Sequence, residues 1–155
     1  MTTPESKVFI SGNLEGLCCS EKNVLELIEL LIAAEPSLEN QLKSTHVNLT
    51  FITKNEIKEL NSKFLNKDQP TNVLSFPSNE LDFDERLLGD IAICPEIISN
   101  EADDQNKDRQ NHLFHIILHS LLHLVGYDHQ EDSSAEKMES IEIEALKKIG
   151  IANPY

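Results

Sequence analysis

The sequence is poor in the features that mark membrane proteins, secreted proteins and proteins that coat nucleic acid. Its 155 residues include no tryptophan, three cysteines, and 13 lysines and arginines against 27 aspartates and glutamates. No apolar run approaches the roughly 20 residues that span a bilayer, and residues 1–20 lack the pattern of a signal peptide. Cys18, Cys19 and Cys94 are odd in number and lack ligand-like spacing, so we interpret them as reduced thiols. The sequence therefore predicts a cytoplasmic protein with no membrane partner.

The formal net charge of −14 argues against a protein that coats nucleic acid, since phosphate contacts normally require a basic face. It does not exclude an enzyme that cuts RNA, because a metal ion can hold one phosphate locally. Four lysines fall together, on and just after one predicted helix: Lys54, Lys58, Lys63 and Lys67. They form either a local basic face or the solvated surface of that helix, and the sequence leaves both open.

The hydrophobic pattern predicts an α+β fold, or mixed α/β layer, in one domain that spans residues 1–155. We expect a small mixed four-stranded sheet with about five helices packed on it. The strands are expected at residues 8–10, 46–52, 72–76 and 91–94, and the helices to begin at or be capped by Ser20, Thr53, Pro95, Lys107 and Ser133. His46 falls on the polar phase of its strand and is expected at the surface, as is the acidic stretch 78–86.

Histidines are concentrated in the most apolar part of the chain. Five of the six lie between His112 and His129, and His119 and His123 are four residues apart. On a helix this spacing places both imidazoles on one face, where they can reach one metal ion. Gly126 then ends the helix, and the turn after it delivers His129. Three imidazoles would leave a fourth position open for water, the usual layout of a catalytic zinc.

Two histidines at this spacing on a helix are common without a metal, so a satisfied core pair is the competing interpretation. Apolar residues surround the pair, however, and bare imidazoles there would need buried hydrogen-bond partners. A third histidine follows a helix-ending glycine at short range, and His46 is the one histidine outside the cluster. We therefore predict a metal site on a helix and the following turn.

Residues 119–129, HSLLHLVGYDH, resemble the signature of the YbeY endoribonucleases, a bacterial metal-dependent family. The resemblance extends to PTNVLSFP at 70–77, to LGDIAIC at 88–94, and through the acidic helix after His129 to the NPY at 153–155. It covers residues 47–155, and the N-terminal third matches only in general layout. Three ordered blocks and an eleven-residue motif are more specific than the histidines alone.

The resemblance implies a small mixed sheet with helices packed on it and a metal-dependent endoribonuclease specific for single-stranded RNA. In that family the activity is tied to ribosomal RNA maturation and ribosome quality control. The implied cofactor is one metal ion per chain, and neutral imidazoles favour Zn²⁺, although nickel, copper and iron also accept them. The implied partners are ribosomal RNA and the ribosome or its proteins, and no DNA partner is expected.

Carried over by position, His119, His123 and His129 match the three metal ligands of the family. Three further positions match the block that lines its site, where they would bind phosphate or order the loop: Thr71, Asn72 and Ser75. Thr71 and Asn72 could instead simply form a turn before a strand. Asp128 would orient a ligand histidine or cap its turn. His112 and His115 lie on a similar helix face and could line the cleft, but core or surface positions are the simpler expectation for them.

The chain departs from the family pattern at two positions. Ser120 stands where the family usually has glycine, and Leu65 stands where it usually has an arginine expected to contact phosphate. Lys63 or Lys67 could substitute only as a point charge. We therefore expect intact metal binding, with RNA cleavage that is weakened or altered in substrate.

Two other functions fit the same histidines. One is a metallohydrolase that acts on a peptide or amide, although Ser120 replaces the general-base glutamate that H-E-x-x-H peptidases have there. The other is a non-catalytic, ribosome-associated factor in which a fourth protein ligand, such as Asp128, closes a structural zinc site.

Overall fold

The computed structural model describes residues 6–78, 86–128 and 132–155 of the chain. Within them, four strands and six α-helices alternate along much of the sequence, with one short 3₁₀-helix at Pro36–Leu38. In chain order they are β1 (Lys7–Gly12), α1 (Glu21–Ala34), α2 (Glu39–Leu42), β2 (His46–Phe51), α3 (Lys54–Leu65), β3 (Val73–Pro77), β4 (Leu87–Ile93), α4 (Pro95–Asp104), α5 (Arg109–Leu124) and α6 (Asp132–Lys147).

The four strands form one mixed sheet in the order β1-β2-β4-β3. Strands β1, β2 and β4 run parallel to one another, whereas β3 is an antiparallel edge strand paired with β4, from Val73 opposite Ile93 to Pro77 opposite Gly89. The predicted α+β fold with a small mixed four-stranded sheet is confirmed. Strand β3 contacts α5, and the cleft described below lies between these two elements.

Local sequence signals explain where several helices begin. Ser20 and Thr53 each cap a helix through a reciprocal capping box, closed by Asn23 and Glu56, respectively. Pro95 occupies the first turn of α4, where its missing N–H costs no helical hydrogen bond. These three helix starts were predicted correctly.

Helix α5 is the central element of the core. Ten of its sixteen residues are buried, and it contacts β3 and β4 of the sheet as well as α1, α4 and α6. Its side chains join those of α1, α6 and the parallel strands in one large apolar cluster. Within the described part of the chain, no helix combines the length and the apolarity needed to cross a membrane.

Some details differ from the sequence predictions. His46 is buried rather than at the surface, because β2 lies between two strands and a register shift at His46/Val47 interrupts its alternation. Helix α5 begins at Arg109 with Asp108 as its cap, two residues later than expected. Helix α6 begins at Asp132, so Ser133 lies inside it. The two short helices from Pro36 to Leu42 were not predicted, and most of the expected loop 78–86 lies outside the described residues.

Candidate metal centre

An open cleft of about 760 Å³ lies between β3 and the C-terminal half of α5. One wall comes from residues 72–77 and from Leu65 at the end of α3. The other comes from His115, Ile116, His119 and His123 of α5, and the rim from Gly126, Tyr127, Asp128 and Tyr155. Three of the clustered histidines therefore face one cavity, within reach of a bound molecule.

His119 and His123 stack on one face of α5, as their spacing predicted. Their Nε2 atoms lie 3.0 Å apart, and the two ring centroids are 4.6 Å apart. The Nδ1 atom of His123 contacts the backbone carbonyl oxygen of Tyr127 at 2.9 Å. This contact depends on Gly126, which adopts a φ of 103° and turns the chain back over the end of the helix. The carbonyl can only accept, so His123 Nδ1 must carry a proton.

Glu142 of α6 is the hydrogen-bond acceptor for Nδ1 of His119, as the Tyr127 carbonyl is for Nδ1 of His123. Its side chain is fully buried, and its Oε1 atom accepts a hydrogen bond from His119 Nδ1. Its Oε2 atom accepts a hydrogen bond from the hydroxyl of Tyr155. Burial alone would raise the pKa of the Glu142 carboxyl, but contacts with His115, His119 and Tyr155 outweigh burial and hold this pKa at about 2. At neutral pH Glu142 is therefore a carboxylate that can only accept, and His119 Nδ1 is the donor.

These two hydrogen bonds fix the chemistry of the facing nitrogens. With a proton on each Nδ1, the neutral rings point two Nε2 lone pairs at each other across 3.0 Å. Such an arrangement is repulsive unless a cation, either a proton or a metal ion, lies between the two atoms. Two nitrogens on one tetrahedral zinc lie roughly 3.3–3.4 Å apart. The observed separation is within a few tenths of an ångström of that value, so His119 and His123 fit a metal ion.

A second grouping of possible ligands overlaps the first. His115, His119 and Glu142 offer ligand atoms that all lie within 4.8 Å of one another, so they too form a possible metal site. In this grouping, however, His119 Nδ1 is already in hydrogen-bond contact with the carboxylate, and Glu142 does not line the cleft. Glu142 is therefore placed to orient His119 and leaves its Nε2 atom facing the cleft, the usual relation between a carboxylate and a histidine able to bind a metal.

A second carboxylate–histidine pair lies deeper between α4 and α5. Glu101 accepts hydrogen bonds from His112 Nε2 and from the Asn72 amide, each at 3.1 Å. Burial opposes ionisation of Glu101, but these two hydrogen bonds, together with electrostatic contacts from His112 and Lys107, outweigh it and lower the pKa of its carboxyl. Asn72 is thereby tied to the core, so its amide orders the start of β3. Of the two positions left open for them, core or surface, both His112 and His115 occupy the core, and His115 also lines the cleft.

The remaining positions singled out from sequence are divided between the cleft and its surroundings. Leu65, half exposed, and Ser75 line the cleft, as does Asp128, whereas Thr71 does not. His129 lies outside the described residues. Lys54 and Lys58 approach acidic side chains, Glu96 at 3.6 Å and Asp68 at 3.9 Å, which weakens the case for a free basic face on α3.

Sequence reasoning missed the two groups that organise His119, namely Glu142 and Tyr155. One signal for Glu142 was present: it lies four residues after Met138 and three before Ala145, on the stripe of α6 that is otherwise apolar. A lone carboxylate on a buried stripe requires a partner. Tyr155 carried no comparable local signal, because its contact depends on how the segment after α6 packs against α5.

Fold and site together define a class: an α+β protein with histidine and carboxylate groups, suited to a metal ion, in an open cleft. The family model described as Endoribonuclease YbeY matches residues 13–150. The chain belongs to this family, which confirms the resemblance seen in its motifs.

Individual relatives agree with this assignment. An endoribonuclease YbeY of Francisella tularensis subsp. novicida is 45% identical over 122 residues, which are 76% of this chain and 75% of that protein. The endoribonuclease YbeY of F. tularensis subsp. tularensis strain WY96-3418 is 44% identical over 122 residues, again 76% of this chain and 75% of that protein. The solution structure of TM1509 from Thermotoga maritima superposes with a TM-score of 0.56 at 32% identity, covering 92% of this chain and 91% of that one.

Proposed function

We propose that this protein is a zinc-dependent endoribonuclease that cleaves single-stranded RNA in the cytoplasm, as a single domain that acts in ribosomal RNA maturation and ribosome quality control. Family membership supports RNA as the substrate. The observation that carries the metal dependence is the pair of Nε2 atoms of His119 and His123, which face each other across 3.0 Å in an open cleft.

In this proposal His119, His123 and His129 hold the metal. A metal ion bound there would lower the pKa of water and stabilise the negative charge that develops on a phosphate oxygen. Glu142 and the Tyr127 carbonyl keep each Nδ1 protonated, so that both Nε2 atoms remain directed at one point. This fixed tautomer is what a pre-organised metal site requires.

The opposite wall of the cleft would bind the substrate. Ser75 lines the cleft with a hydroxyl that can donate to a phosphate oxygen, and Asn72 fixes the loop before it through Glu101. Thr71 contributes to the turn at the start of β3, and Asp128 orients a ligand histidine. Leu65 contributes apolar surface where the family pattern has an arginine.

The test is cleavage of a labelled single-stranded RNA and its duplex by protein of measured metal content. His123→Ala removes one of the two converging nitrogens, so we expect cleavage to fall at least about 100-fold. His46→Ala removes a buried histidine that does not line the cleft, and it should retain cleavage. Equal cleavage by wild type and His123→Ala would identify a contaminating nuclease.

A wild-type sample that holds one metal ion per chain, yet cuts no RNA, would contradict the proposal. It would leave the structural zinc factor as the better interpretation. A mixed peptide pool in the same assay tests the remaining alternative, because cleavage of peptides and not RNA would indicate a metallopeptidase.

A further inference from the structure

The hydroxyl of Tyr155 lies at the end of a chain of contacts that reaches the metal centre. The aromatic ring packs edge-on against His115, with centroids 5.7 Å apart at 88°, and the hydroxyl donates to Glu142 Oε2. The residue as a whole is 57% exposed, but its hydroxyl is directed into the core. Desolvation of this hydroxyl and its hydrogen bond to Glu142 both raise the pKa of Tyr155, so it remains a protonated donor at neutral pH.

The segment that carries Tyr155 is tied down at two other points. Ile151 N–H donates to the Leu146 carbonyl at 3.0 Å, and the Lys107 ammonium donates to the Pro154 carbonyl at 3.1 Å. These contacts position the backbone without help from the tyrosine hydroxyl. The hydroxyl is therefore not required merely to dock the segment.

Glu142 needs this hydroxyl because of its burial. The carboxylate is wholly inaccessible, and its two oxygens have separate donors, His119 for Oε1 and Tyr155 for Oε2. His115 Nε2 lies 3.6 Å from Oε2, an ion-pair contact that is longer than a hydrogen bond. Among the described residues, Tyr155 is the one group within hydrogen-bond distance of Oε2. Its loss would leave this buried oxygen with only the longer contact to His115, and the carboxylate would be less firmly held.

We propose that Tyr155 is a positioning residue for the metal centre: its hydroxyl fixes the Glu142 carboxylate, which in turn holds His119 with Nε2 directed at the metal. The inference rests on the proposed function only in taking His119 and His123 as metal ligands. It assigns a role to a hydroxyl that hydrogen-bonds Glu142 rather than either facing nitrogen.

The test is Tyr155→Phe, which deletes the hydroxyl and keeps the ring that packs on His115. Affinity for Co²⁺ alone is measured by competition with a chelator, together with the visible absorption of the Co²⁺ complex. Loss of a direct orienting partner costs roughly 10- to 100-fold in metal affinity. Tyr155 acts one step further out, so we expect a loss of roughly 3- to 10-fold and a changed spectrum. The metal-free variant should stay folded with a modestly lower melting temperature, because a buried carboxylate oxygen loses its hydrogen-bond donor.

Two further variants separate positioning from general destabilisation. Ser37→Ala removes another hydroxyl-to-glutamate hydrogen bond, the 2.8 Å contact with Glu35, at an exposed site outside the cleft, and it should leave Co²⁺ affinity unchanged. In a double-mutant cycle, Tyr155→Phe should have little further effect once Glu142→Gln is present, because the hydroxyl acts through that carboxylate.

The outcomes are distinguishable. If wild type binds Co²⁺ and Tyr155→Phe binds it with the same affinity and spectrum, the positioning role is overturned and the metal site stands. Fully additive losses in the cycle also overturn it, since the hydroxyl would then act by another route. A wild type that binds no Co²⁺, or binds it equally after His123→Ala, overturns the metal site and this inference with it.

Discussion

The buried Glu142 carboxylate should make the metal-free protein less stable as the pH falls into the acid range. Its pKa is about 2 in the folded protein against an ordinary value of 4.5. A depressed pKa contributes stability that is fully present above 4.5 and is lost as the pH falls from there toward 2. The difference of 2.5 units corresponds to about 3 kcal/mol in total, of which about 2 kcal/mol should be lost by pH 3. The side chain is wholly buried, so solvent does not screen its contacts.

The assay is urea unfolding of chelator-treated wild type and Glu142→Gln between pH 6 and pH 3. Glutamine keeps the shape of the side chain but does not titrate, so all other carboxyls, Glu101 included, cancel in the difference between the two proteins. We expect the stability of wild type relative to Glu142→Gln to fall by about 2 kcal/mol over this range. A difference that stays constant within about 0.5 kcal/mol would refute the charged, hydrogen-bonded state of Glu142.

Substitutions at two other positions test the cleft. Leu65→Arg places a guanidinium on the cleft wall and should tighten single-stranded RNA binding at least several-fold, since a hydrogen bond to a charged group contributes about 1.5–3 kcal/mol. Leu65→Lys should gain less, and unchanged affinity and cleavage in both would show that the missing arginine is irrelevant here. Gly126→Ala meets no atom within 4 Å but forces alanine to a φ of 103°, so urea unfolding should reveal a loss of about 1–2 kcal/mol. An unchanged midpoint would argue against strain at this turn.

Most of the fold was predictable because its signals are local. The capping boxes at Ser20 and Thr53 lie within four residues of sequence, and the proline at the start of α4 acts on its own turn. The errors arose where distant parts of the chain decide the outcome. The burial of His46 depends on the strands to either side of β2, which no periodicity within that strand reveals.

The site divides in the same way. The four-residue spacing of His119 and His123 and the glycine after them are local, and the structure has both histidines on one face of α5. The partners of their Nδ1 atoms differ in kind. The Tyr127 carbonyl follows from the turn, but Glu142 reaches His119 only because α6 packs against α5, 23 residues further along the chain. Sequence spacing predicts which imidazoles can meet, whereas tertiary packing decides which nitrogen each one presents.

The histidines of the cleft lie on the most buried helix of the protein. Ten of the sixteen residues of α5 are buried, and the carboxylate that orients His119 comes from α6, a second helix of the same apolar cluster. The orientation of His119 is therefore set by the core, whereas that of His123 is set by the turn after Gly126. A metal ion that binds the folded state alone also stabilises it, in proportion to the logarithm of its free concentration. Substitutions in the core beneath His119 should thus alter metal affinity and stability together, whereas changes at Leu65 on the opposite wall should alter RNA binding alone.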